Sequence, residues 1–418
     1  MKKLMIGALA LLVWACAKKE LENTKLFVGA SARSITPEAG AFIAGDRLNR
    51  NFTGVHDSLF VKALVWADGR NSMALLTFDC IGMLYPTLQQ IREVVAEKIP
   101  MNELDPVHIM MASSHTHSGP DVVGIWGPDQ LTSGVDSLYM KKLVATSAET
   151  LLAAWHSKRP AKVAYAEARF GEDWVYNISD SLNLDRALTV LQFMDTEGKS
   201  MATLTNFACH PTIMDGSNSL VSADYLSGFY TDLDRQLGGV NCFVQGPIGG
   251  WVQPEYEPKT FESAAKRGSE LGIAVTKALE KSIVMDSAPL HFQSKQIMLP
   301  VSNAGFQQLS MAGVIHRPIT DSVATEVAWF SIGNAQLATH PGETTPTYGL
   351  ATKKLMPDTG PKFVIGLGMD ALGYILTPDF YVAEPVVKHS EYLRGMSIDP
   401  MAGPLIMKAI TELANNKE

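Results

Sequence analysis

The stretch Val107-His-Ile-Met-Met-Ala-Ser-Ser-His115-Thr-His117-Ser-Gly-Pro120 decides how the rest of the chain reads. Its first half, Val107–Ala112, is a short apolar run of the kind that forms a strand buried on both faces. Its second half turns abruptly polar and stops on Gly-Pro, a turn signal. A buried strand is thus predicted to empty into a loop carrying two histidines. In an extended segment side chains alternate with period two, so His115 and His117 are expected to place both rings on one face.

The same pattern recurs along the chain. Met201–Phe207 runs into Ala-Cys-His210-Pro and Ala335–Thr339 into His340-Pro-Gly-Glu343, while Lys362–Leu367 meets a glycine-rich turn and then Gly373-Tyr374. Further strand-like runs are Leu59–Ala67, Met73–Phe78, Val240–Val244 and Val327–Ile332. Helical periodicity marks Pro86–Ile99, Asp136–His156, Phe261–Ile283 and Gly403–Leu413. This alternation predicts an α/β protein of layered mixed β-sheets flanked by helices. No repeat or linker divides it, so residues 26–418 read as one large domain whose weakest joint is 285–320.

In open α/β sheets, sites gather beyond the carboxyl ends of strands. His115, His117, His210, Glu343 and Tyr374 are therefore candidate site residues. Two imidazoles and a carboxylate are ordinary Zn²⁺ ligands, and a phenolate is a rarer one. One ring of the His115/His117 pair can bind metal while the other faces a substrate oxygen or a metal-bound water. Each residue alone also has a bland reading: a polar loop, a structural histidine at 210, a helix-start carboxylate at 343. Asp79 and Asp224, both after apolar runs, read either as partners orienting the histidines or as helix caps.

Composition narrows the classes. Thirty-five Lys+Arg against 43 Asp+Glu give a formal charge of -8, leaving no basic excess for a nucleic-acid partner. With 46% hydrophobic and 19% charged residues, the chain is not intrinsically disordered. Lys2-Lys3 and the apolar Leu4–Ala15, too short to span a bilayer, read as a targeting segment. Leu12-Val-Trp-Ala-Cys16 resembles a bacterial lipobox. The expectation is a lipoprotein signal peptide over 1–15, lipidation at Cys16, a tether over 16–25, and a bacterial cell-envelope location held by the lipid anchor alone. An ordinary signal peptide with an incidental cysteine is the alternative. Cys80, Cys209 and Cys242 lie inside apolar runs and read as buried small hydrophobes. No CxxC pair, Gly-x-Ser-x-Gly elbow, His-Glu-x-x-His helix or P-loop is present.

Together these blocks carry a resemblance. Ser113–Asp121 (SSHTHSGPD), Asn206–Thr212 (NFACHPT) followed by Ser222–Tyr225 (SADY), His340–Glu343 (HPGE) and Gly373–Tyr381 (GYILTPDFY) are similar to the neutral/alkaline non-lysosomal ceramidase family. The opening VGASARSITP, GVHDSLFVKALVWADG and LLTFD follow the same pattern, and the resemblance runs from about Phe27 to the end. It implies a zinc amidohydrolase that cleaves a ceramide-like N-acyl amide to fatty acid and amine. It also implies one zinc held by His115, His210, Glu343 and Tyr374, with His340 as runner-up ligand. Zinc would acidify a water and polarise the amide carbonyl. His117 beside that water would stabilise the oxyanion or pass a proton to the leaving amine. Tyr381 would line the entrance.

Two departures from the family pattern stand out. Where the family has a Gly-Asp-Val-Ser-Pro-Asn loop, this chain reads Gln245-Gly-Pro-Ile-Gly-Gly-Trp-Val-Gln253-Pro-Glu255. Gln253 replaces the serine and Gly250 the acid, so attack by water survives where a serine acyl-enzyme would not. Trp251 and Gln253 are then expected to shape substrate preference. The C-terminal immunoglobulin-like domain of well-known members is expected to be missing. Two alternatives stay open: the same zinc site acting on a non-ceramide amide or ester, and a silent envelope lipoprotein binding lipid or glycan in the inherited cleft.

Overall fold

A computed structural model describes residues 26–416 except 215, 256 and 383–386. The segments expected to be a signal peptide (1–15) and a tether (16–25), with Cys16, lie outside the described residues. Apolar and β-branched runs build three larger sheets among those described. β1 (Phe27–Ser34), β2 (Phe60–Ala67), β3 (Ser72–Phe78) and β4 (Ile109–Ser113) lie in the order β4-β3-β2-β1, with Arg159–Pro160 on the outer edge. β5 (Lys162–Arg169), β6 (Ala187–Met194), β7 (Ser200–Phe207) and β8 (Val240–Gln245) lie in the order β8-β7-β6-β5, with Ile283–Val284 beyond. β9 (Leu290–Pro300), β10 (Ser322–Ile332), β11 (Ala335–Thr339) and β12 (Lys362–Ile365) follow in sequence order. Each sheet is mixed. The β3–β4, β7–β8 and β11–β12 pairs are parallel, and the other pairs among these strands are antiparallel.

The stretch expected to be the weakest joint contains β9, which pairs with β10 from Leu290↔Ile332 to Pro300↔Ser322. Most of its side chains are partly or fully exposed, so no apolar period announces it.

Helices cover the sheets. α1 (Tyr85–Ala96) packs on α2 (Ser137–His156), which lies across β1 and β2. α3 (Tyr225–Gln236) and α4 (Phe261–Leu279) form a close pair beside the second sheet. A Cβ on Gly268 would lie 1.8 Å from the Tyr225 carbonyl, so that approach requires glycine. α5 (Ala402–Asn415) packs on β9 and β10. Caps set the starts: Asp136 accepts from Leu138 N and Tyr139 N, and Thr260 from Ser263 N. The main apolar core includes Trp66, Trp174, Phe207 and Phe243, each worth about 1.5–3 kcal/mol or more of burial. Cys80, Cys209 and Cys242 are buried free thiols, as small hydrophobes should be.

The parallel strands bring their carboxyl ends together. Gly246 N donates to Phe207 O, Gly366 N to Gln245 O, and His340 N to Ile365 O, at 2.8–2.9 Å. Asn206 Nδ2 reaches Val244 O (3.0 Å) and Val364 O (3.1 Å), tying β7, β8 and β12. The Gln245 amide donates to Ser114 O (2.8 Å) and Cys209 O (2.9 Å), and its oxygen accepts from Cys209 N. The loops bearing His115 and His210 are thereby fastened to one side chain. Among the described residues, no helix is long and apolar enough to cross a membrane.

Candidate metal centre

Beyond β4 the chain does not stay extended. His115 takes a left-handed backbone (φ 71°), its N–H held by Cys80 O at 2.8 Å. The two rings of the His-Thr-His segment still meet, Nε2 to Nε2 at 3.4 Å, but through a turn rather than through strand alternation. His115 Nδ1 donates to Ile81 O at 2.5 Å. His210, two residues past Ala208, donates from Nδ1 to Val252 O at 2.7 Å. A carbonyl can only accept, so each ring carries its proton on Nδ1 and turns Nε2 inward.

Glu343 follows β11 and forms a short parallel ladder with Tyr374. Gly249 runs against its backbone: a Cβ there would lie 2.3 Å from Glu343 O. Glu343 Oε2 stands 3.1 Å from His210 Nε2 and 3.4 Å from His115 Nε2. With Nδ1 protonated and the rings neutral, these contacts set acceptor against acceptor. Extra protons on the imidazoles or a cation between the groups resolves the conflict. Ligand nitrogens of His115, His117 and His210 all lie within 4.8 Å of one another. The donor set therefore fits a divalent ion of the zinc kind.

Electrostatics follows the packing. Burial opposes ionisation of Glu343, but the adjoining His115 and His210 outweigh it and hold the carboxyl below the usual carboxylate range. Burial lowers His117 to about 4, with Asp46, whose Oδ2 is 3.8 Å from Nδ1, pulling the other way. A Cβ on Gly45 would sit 2.5 Å from that same nitrogen, so glycine lets the loop lie on the ring. Burial, then the Glu343 charge, raises the Tyr374 phenol well above its ordinary value.

Tyr374 lines the same cavity as His115, His117 and Glu343, a space of about 100 Å³. Past Trp126, Phe306, Tyr392 and Met396 it meets an apolar groove of about 560 Å³ that also includes Leu131 and Leu309. Neither space is lined by Tyr381, Trp251 or Gln253. Tyr381 packs in the small apolar cluster around Tyr374 and donates to Ser397 Oγ at 2.8 Å. The Trp251 indole donates to the Tyr374 hydroxyl at 2.8 Å. Gln253 is half-buried in the ladder between Val252–Pro254 and Val175–Asn177. His340 is turned away onto Thr352 Oγ1 at 3.0 Å, and burial lowers its pKa to about 3.

Asp224 caps α3 through Tyr225 N and also holds Ile213 N and Met214 N in the loop after His210. Asp79 instead accepts from Phe60 N and Tyr230 Oη. Sequence reading missed the groove and Asp46. Only the Gly45-Asp46 turn signal, with Asp46 itself left-handed (φ 53°), marks that loop.

A mixed α/β protein with a buried histidine–carboxylate centre at the ends of its parallel strands is thus defined by fold and site. Residues 27–231 match the neutral/alkaline non-lysosomal ceramidase N-terminal model, and the chain belongs to that family. Neutral ceramidase B of Dictyostelium discoideum is 24% identical over 239 residues, 52% of this chain and 33% of that protein. The neutral ceramidase of Pseudomonas aeruginosa is 24% identical over 244 residues, 53% and 36% respectively. The chain thus spans about a third of the length of these curated relatives. The crystal structure of the Pseudomonas aeruginosa neutral ceramidase superposes with a TM-score of 0.75 at 16% identity, covering 94% of this chain and 75% of that one. A ceramidase complexed with C2 gives 0.76 at 15% identity, with the same coverage. These likenesses establish the fold, and the family and α/β class expected from the sequence both hold.

Proposed function

We propose that this protein is a zinc-dependent amidohydrolase that cleaves an N-acyl amide of the ceramide type to fatty acid and amine. The observation carrying this reading is the meeting of His115 Nε2 and His210 Nε2 on Glu343 Oε2, at 3.4 and 3.1 Å, beneath an apolar groove. His115, His210 and Glu343, with Tyr374 beside them, would hold the ion. When bound, zinc supplies positive charge that polarises an acyl carbonyl and acidifies water.

The chain's own groups do the rest. Ile81 and Val252 carbonyls lock the two ligand rings in one tautomer, so their Nε2 lone pairs need no reorganisation. His117, kept neutral by burial, can take a proton from water at Nε2 and return it to the leaving amine. The groove of Ile125, Trp126, Phe306, Leu309 and Met396 receives an acyl chain and excludes water from the amide. The lipobox-like segment supports attachment at Cys16 to a bacterial envelope membrane. Cys16→Ser is then expected to move the protein into the soluble fraction, and continued membrane association would remove the lipid as sole anchor.

The loop that lacks the family's serine and acid favours a second reading, a non-ceramide amide on the same centre. One assay separates the two: fatty-acid release from ceramide and from an N-acyl amino acid, with chelator and after zinc add-back. Release from ceramide that chelator abolishes and zinc restores is expected. Release from the amino-acid amide alone favours the second reading, and zinc-loaded protein that cleaves neither refutes both.

A further inference from the structure

Trp251 occupies a backbone position that bulky residues seldom take. Its φ is 58°, directly after Gly250 at 82°, and such outliers persist where surrounding structure demands them. Here the indole stays out of the cavity lining and donates from Nε1 to the Tyr374 phenol oxygen at 2.8 Å. The same ring packs on His389 and Tyr392, with centroids 4.7 and 5.3 Å away. The next residue, Val252, accepts both the His210 backbone N–H (2.9 Å) and its Nδ1 (2.7 Å). One short turn thus touches His210 through a carbonyl and Tyr374 through an indole.

An indole N–H only donates. It fixes the Tyr374 oxygen as an acceptor on one side, while the Glu343 carboxylate faces the same phenol. We infer that Trp251 is a positioning residue that acts through Tyr374, its N–H holding the phenol oxygen at the metal centre. It is not a substrate contact. Through its packing on Tyr392, a lining residue of both the cavity and the groove, it also braces the groove wall. The inference rests on the metal-centre reading proposed above.

Trp251→Phe separates these roles, because it keeps a ring against His389 and Tyr392 and removes only the donor. In the full chain, competition between protein and chelator for Zn²⁺ is expected to show about 10–100-fold weaker zinc binding, the usual effect of losing a partner behind a ligand. Turnover should fall with KM unchanged. Trp251→Ala should add a rise in KM as the Tyr392 wall loosens. In a Tyr374→Phe background, Trp251→Phe should have no further effect on zinc affinity. Equal zinc affinity in Trp251→Phe and the unaltered protein, or full additivity in the double variant, would overturn the inference. The indole ¹⁵N–¹H resonance of Trp251 gives a reading that needs no Trp251 variant to fold. It should shift when Tyr374→Phe removes the acceptor, and an unmoved resonance would also overturn it. Neither zinc competition nor the resonance depends on which amide is cleaved. Failure of the hydrolase assay with these results intact would refute the function and leave the positioning role.

Discussion

The histidine centre and the groove above it share Asp46, Ile125, Trp126, Phe306, Tyr392 and Met396 as lining, yet they are built by opposite rules. In the centre, His115, His210 and Glu343 are buried, and both imidazole rings are held by main-chain carbonyls. In the groove, Leu131 is 76% exposed and Tyr392 53%, and apolar side chains make most of the surface. A pinned centre suits chemistry, which loses rate with small misplacements. A wall of side chains suits selection among chains of different length, because each contributes only its burial.

The contrast breaks most visibly at His210. His210→Ala should abolish zinc binding and destabilise the metal-free protein by about 3 kcal/mol, because Glu343 loses a buried partner. Metal analysis and denaturant unfolding check both, and a zinc-replete His210→Ala would dismantle the centre as described. His117→Ala comes next. It should retain zinc and lose about 10²–10⁴-fold in kcat, and equal zinc loss in His115→Ala and His117→Ala would make His117 a ligand.

On the groove side the mark should be KM. Phe306→Ala removes about 1.5–3 kcal/mol of apolar burial for a long acyl chain. It should raise KM for long-chain substrates about tenfold or more, with short-chain turnover untouched. A kcat loss common to both chain lengths would show that the groove wall also sets the centre. Gln253→Ala, outside both spaces, should change stability by no more than about 0.5 kcal/mol. A large change in substrate preference there would enlarge the groove beyond its present walls.

Strand ends made the centre legible. β4, β7 and β11 are dense apolar runs that stop abruptly, and His115, His210 and Glu343 follow each stop. The His115–His117 rings nonetheless meet through a left-handed residue at 115 and not through strand alternation, a turn that no apolar period marks in the sequence. The orienting carbonyls of Ile81 and Val252 were invisible, since every residue carries one. The groove was illegible for another reason. Ile125 and Trp126 sit in a loop that Asp121 holds through three backbone N–H groups. Phe306 comes from a short helix, Ala304–Met311, and Met396 from the end of another, Ser390–Gly395. Segments this brief carry too few residues for amphipathic pattern to emerge. In α3, Gly228 and Asp232 interrupt the otherwise apolar buried face, which weakens its helical signal in the sequence.

Gln245 acts as a spacer gauge between the two histidine loops. Its amide nitrogen grips Ser114 O and Cys209 O, and its oxygen takes Cys209 N. A carboxamide suits this post because it offers donors and an acceptor at one tip. Glutamate, nearly identical in shape, would press an anion against two carbonyl oxygens. Surface loops can therefore drift in length and composition while the interval between His115 and His210 stays calibrated from inside.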